Sequence, residues 1–134
     1  MKDSQENTDG KTSLLKEARM QLLRLHKLLV DIERGNYENL AGKVSSGQFL
    51  NLLINDQNFE WLRKFSTLIV EIDEMLDLDD GFSEDMIEVH LNRMRELLDL
   101  KSSDKDFNER YKSMLHSNEQ VLEKHSELKK LLSK

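Results

Sequence analysis

NDQNFEWLRKFSTLIVEIDEMLDL, residues 55–78, decides how this chain folds. Leu62, Phe65, Ile69, Ile72 and Leu76 recur at alternating spacings of three and four, the stripe that one face of a helix shows when it is buried. Trp61, Leu68 and Met75 add a second stripe at heptad spacing, which predicts a wide-faced, central helix. Asn55 or Asp56 can cap its start, and the pattern ends near Leu78.

The same rhythm extends to both sides. Leu15, Ala18, Leu22, Leu25, Leu29 and Ile32 predict a helix beginning at Thr12. Gly35 is one end for it; Asn36 and Leu40 continue the stripe and favour an end at Ala41 with Gly42 as the cap. Ser45 with Gln48 is a capping-box pair, opening a short apolar piece from Phe49 to Ile54 that is expected across one end of the molecule. Ser83 caps a further helix with the stripe Ile87, Leu91, Met94 and Leu98, flanked by Met86 and Leu97. Asp106 with Glu109 predicts the start of the last long helix, which carries Phe107, Tyr111, Met114, Leu115, Val121, His125, Leu128 and Leu132. Ser117 with Gln120 repeats the capping signature inside that run and leaves open a break there.

The expected architecture is therefore all-α: an antiparallel bundle of four long helices plus a short connecting helix. Residues 1–11 are expected as a disordered lead-in and residues 12–134 as one domain. The absence of proline and the presence of only five glycines among 134 residues leave long stretches without helix breakers.

Composition removes several functions. No cysteine is present, so disulfides and thiolate metal sites are excluded. A formal charge of −6 argues against nucleic acid and against an anionic membrane surface as partners. The polar start, MKDSQENTDGKTS, is unlike a signal peptide, and no apolar run approaches the roughly 18 residues a bilayer span needs. A cytoplasmic location is expected.

Four histidines raise the question of a metal. None has a glutamate three residues before it, and the fourth residues after His26, His90, His116 and His125 are Val30, Met94, Gln120 and Lys129. Spacing thus gives no metal motif, and no cofactor is expected. Segment 71–85, EIDEMLDLDDGFSED, aligns in part with a calcium loop, but Phe82 stands where the sharp turn calls for glycine. A simpler reading pairs these carboxylates with Lys11, Lys16, Lys129, Lys130 and Lys134 at a shared pole. There is no Gly-x-Ser-x-Gly elbow or phosphate loop, so nothing supports catalysis.

Candidate binding residues remain. His26, His90 and His125 lie on or beside core stripes, and Glu33 and Tyr37 fall within roughly 20° of His26 on one helical face. Asp73, one step off its own stripe, is placed to orient such a histidine. The glycine-containing connector, with Gly35, Gly42 and Gly47, is the most irregular part of the chain and a second candidate surface.

Residues 47–76, GQFLNLLINDQNFEWLRKFSTLIVEIDEML, resemble a family of small bacterial all-helical proteins, preceded as in that family by a helix of the kind LLRLHKLLVDIERGNYE. LHSNEQVLEKHSEL, residues 115–128, is similar to the family's closing helix. The resemblance covers most of residues 14–132. It implies a helical fold and a bacterial cytoplasmic setting, and it carries no activity. It places His26, Glu33, Tyr37, Trp61, Arg63 and Asp73 at the more characteristic positions. The expected function is a non-enzymatic module that binds another protein or itself; the alternative is a small-ligand-binding bundle with a polar interior pocket, with or without a metal.

Overall fold

The computed structural model describes residues 2–133, with side chains from Thr8 to Ser133. Among these residues there are six α-helices, one 3-10 helix and no strand. The all-α expectation stands.

Helix α1 (Lys2–Ala41) runs back well beyond the expected start at Thr12. The lead-in is helical from Lys2; Met1 and the side chains of residues 1–7 lie outside the described set. Along this extension the Thr12 hydroxyl donates to the Thr8 carbonyl at 2.7 Å, and Lys11 pairs with Glu84 and Glu88 at 2.7 and 3.0 Å. At the other end α1 passes through Gly35 and stops at Ala41, where Gly42 takes φ +91°. That left-handed conformation suits glycine, which has no Cβ to clash.

Helix α2 (Ser46–Asn55) opens with the expected capping box between Ser45 and Gln48. Asp56 then caps a 3-10 helix (Gln57–Leu62) rather than the main helix, and α3 (Arg63–Leu76) follows without a side-chain cap. The tighter turn swings Phe59, Trp61 and Leu62 into the core. Ser83 caps α4 (Glu84–Leu98) as expected.

Two later boundaries differ from expectation. α5 (Lys105–Ser117) is capped by Asp104, whose carboxylate accepts the Phe107 amide at 3.2 Å, instead of by Asp106. Asp106 lies inside the first turn and pairs with Arg110. The open question at Ser117 resolves as a complete break one residue later: Asn118 closes α5 and caps α6 (Glu119–Leu132), accepting the Val121 amide at 3.1 Å. The fourth expected long helix is thus two short ones.

The core is a single cluster. The α1 residues Leu15, Ala18, Leu22, Leu25 and Leu29 are fully buried, and α1 packs against α6, α3 and α4. Contacts run in opposite order along α1 and the 3-10 helix with α3, from Arg19 with Asp73 in α3 to Glu33 with Trp61 in the 3-10 helix. The break at Asn118 also alters the poles. Because α6 is only 14 residues long, it ends beside α4, with Lys129 on Asp99 at 2.7 Å and Arg95 on the Leu132 carbonyl at 3.1 Å. Lys129 therefore does not reach the acidic turn at 79–82, and Lys11 alone of the named lysines is paired with its neighbourhood; Lys134 lies outside the described residues.

Candidate functional site

The eight candidate residues do not gather into one site. His26, Glu33 and Tyr37 do share a face of α1, and all three look toward the 3-10 helix and α3. Each meets a different partner: His26 the Phe65 ring at 6.4 Å, Glu33 the Trp61 indole N–H at 3.4 Å, Tyr37 the Phe59 ring at 6.0 Å. The reason is axial rise. At about 1.5 Å per residue, Glu33 and Tyr37 lie roughly 10 and 16 Å along the helix from His26. A common face is not a common point.

The expected role of Asp73 is overturned. Its carboxylate is chelated by the Arg19 guanidinium, with Nη2 to Oδ2 at 2.9 Å and Nε to Oδ1 shorter still, and no histidine is oriented by it. His90 turns back on its own helix, Nδ1 lying 2.7 Å from the Met86 carbonyl. Arg63 donates from Nε to the Leu53 carbonyl at 3.2 Å, tying the end of α2 to α3.

Among the described residues His125 is the one buried polar side chain outside the aromatic core, and Tyr111 meets it there. The Tyr111 hydroxyl and His125 Nδ1 share a 2.6 Å hydrogen bond. Burial pushes the Tyr111 phenol above its ordinary value and pushes both His125 and His26 below theirs; Lys129 lowers His125 further and Asp99 opposes it. Tyr111 reads in the sequence only as a core residue of the last helix. An aromatic run, Phe65 to Tyr111 at 5.3 Å and Tyr111 to His125 at 5.5 Å, separates His26 from His125, so the interior holds a hydrogen-bonded pair rather than a polar pocket. Among the described residues no group of three or more histidine or carboxylate side chains is gathered as metal ligands would be.

Several grooves lie at the surface, and two of them carry Trp61 and His26. One, of about 450 Å³, runs between α1 and α5 over Trp61 and carries Glu33, Asn36, Arg110 and Asn118. Arg110 is held over it by the Asn58 carbonyl at 3.1 Å. The other, of about 430 Å³, lies between α2 and α3, with His26, Phe59 and Leu62 at its floor and Leu50, Leu53 and Ile54 at its rim. Leu50 and Ile54 are each 57% exposed. The connector beside α2 is not loose: Arg34 donates to the Val44 carbonyl at 2.8 Å and Glu38 accepts the Val44 amide at 2.9 Å.

No family model matches this chain, and no curated protein or solved structure matches it. Among the described residues no helix is long and apolar enough to cross a membrane.

Proposed function

We propose that this chain is a non-enzymatic protein-binding module whose docking face is the outer side of α2 and the groove α2 forms with α3. One observation carries this reading. In a chain of which 34% is charged, α2 (SGQFLNLLIN) has no ionisable side chain, yet it leaves Leu50 and Ile54 more than half exposed. Exposed Leu122 sits beside Glu123, exposed Met86 and Val89 flank Glu88, and exposed Met20 and Leu23 lie between Arg19 and Arg24, as surface apolar residues commonly do. Leu50 and Ile54 instead stand one turn apart over a groove in which Phe59 and Leu62 lie beside His26, an uncharged α2 rim suited to receiving an apolar helix face. The bacterial cytoplasmic setting implied by the family resemblance belongs to the same proposal.

Photo-crosslinking tests it. A crosslinking residue in place of Leu50 is expected to capture protein in the native host, whereas one in place of Leu122 is not. Absence of capture from position 50, or equal capture from both, overturns the reading.

A second reading rests on the other groove. The Trp61 indole N–H donates to the Glu33 carboxylate and Arg110 lines the same groove, so the groove offers both charge signs, which suits a small zwitterionic ligand. Trp61 is the sole tryptophan, so a screen of free amino acids by intrinsic fluorescence reports on it directly. A shift that Glu33→Gln abolishes supports a ligand; an unchanged spectrum with every compound removes this reading.

A further inference from the structure

We propose that two copies of this chain pair by exchanging α6: in each copy α5 and α6 straighten into one helix, and each α6 docks in the other copy's bundle. This goes beyond the docking reading and does not involve α2. The sequence carries the first argument. From Phe107 through Tyr111, Met114, Asn118, Val121, His125 and Leu128 to Leu132, the stripe steps by four and three in strict alternation. That is the heptad rhythm of one uninterrupted helix, and it crosses the break without a change of phase. In the folded chain Asn118, with φ −139° and ψ 114°, is the single non-helical residue between Lys105 and Leu132. No glycine or proline follows Gly81, so no residue of the segment forbids the straight form. Turning that one residue into the helical region also gives partners to amides and carbonyls that two helix ends leave open. What holds the closed form at the hinge is the Asn118 cap on the Val121 amide, at 3.1 Å, together with the low helix propensity of asparagine.

Geometry carries the second argument. Tyr111 and His125, which share the buried hydrogen bond, stand at equal distances along the chain before and after Asn118, one heptad each way. A two-fold axis beside Asn118 therefore keeps their pairing, with Tyr111 of each copy meeting His125 of the other. The seat of α6 against α1 and α4 is supplied in the same way by the second copy. The bonds from Lys129 to Asp99 and from Arg95 to the Leu132 carbonyl are then remade between chains. Closed and exchanged forms thus share the contacts of α6 and differ at the hinge and in the joining of two chains, so concentration sets their balance.

Gel filtration of the full chain after refolding at millimolar concentration tests this. Wild type is expected to give a minor, slowly exchanging dimer. Asn118→Ala removes the cap and favours helix, and with two hinges per dimer its association constant is expected to exceed that of wild type by about tenfold or more. Asn118→Gly keeps most of the capping preference and disfavours helix, so it is expected to give no rise. The chain has no cysteine, so Asp99→Cys combined with Lys129→Cys reports whose α6 is docked. A short bismaleimide is expected to join two chains in the dimer fraction and to close within one chain in the monomer fraction. An Asn118→Ala chain that stays monomeric overturns the exchange. So does a dimer whose link stays within one chain, or a rise with Asn118→Gly equal to that with Asn118→Ala.

Discussion

The Tyr111 hydroxyl and His125 Nδ1 lie 2.6 Å apart within the core, each the other's hydrogen-bonding partner. The bond joins α5 to α6 across the break at Asn118 and brings the polar tips of two core residues together away from water. Tyr111→Phe is expected to leave the imidazole nitrogen unpaired and to cost about 1–3 kcal/mol. His125→Leu made on top of Tyr111→Phe should recover part of that loss, because two apolar groups leave no orphaned polar atom. Chemical denaturation of the single and double variants measures both.

The same burial predicts an acid sensitivity. His125 and His26 titrate below the ordinary histidine value of 6.5 in the folded chain, so the unfolded chain binds protons first as pH falls. Stability should be full above about pH 6.5, decline below it, and stop declining on their account once pH has passed through their lowered folded values. Melting temperatures from pH 8 to 5 check this; His125→Leu should flatten the slope. A slope unchanged by that substitution contradicts the assignment.

Ile69 is 6% exposed on the buried stripe of α3, and Asp79 is exposed in the acidic turn. Ile69→Ala is expected to cost about 2–5 kcal/mol. Asp79→Asn should change stability by no more than about 0.5 kcal/mol in either direction. Equal, small shifts in the two melts would mean that the faces are misassigned.

Gly35 and Gly42 predict opposite signs. A Cβ at Gly35 meets nothing within 4 Å, and the residue is inside α1, so Gly35→Ala should stabilise by about 0.5–1 kcal/mol. Gly42 holds φ +91°, where an alanine is strained, and Gly42→Ala should destabilise by about 1 kcal/mol or more. Thermal melts of the pair read the contrast.

Asn118 ends one helix and begins the next, so Asn118→Ala should cost about 0.5–2 kcal/mol. Ser117→Ala should cost less, since its hydroxyl only donates to the Met114 carbonyl at 3.4 Å, within its own helix.

The stripes were legible because burial imposes a period on the sequence, and the buried residues of α1, α3 and α4 are largely those the period picks out. Boundaries were legible where one residue type dominates the geometry, as at Gly42, Ser45 and Ser83. They failed where alternatives compete. Asp104 and Asp106 both suit a helix start, and only Asp104 caps it. The end of α4 is a left-handed turn at Leu100, with φ 58° and the Lys101 amide reaching back to the Glu96 carbonyl at 3.0 Å, a position glycine usually fills. Leu100 is tolerated there because its side chain packs on the core. The candidate site was the least legible part. Helical phase puts His26, Glu33 and Tyr37 on one face, but only the neighbouring helix decides what each of them touches. Likewise, nothing in the local pattern around Asp73 signals Arg19, 54 residues away. Tyr111 and His125 both fall on core positions, yet their pairing depends on how α5 folds back on α6.

The broad contact between α1 and α6 also bears on how the chain reaches its native state. Helical proteins usually fold fast because their contacts are made between near neighbours in the chain. Here a large share of the apolar seam of α1 is closed by residues about a hundred positions downstream, and bringing those ends together carries a loop-closure entropy that helix formation does not offset. Refolding is therefore expected to be governed by a late docking event, with α1 already wound and its seam open to water until α6 arrives.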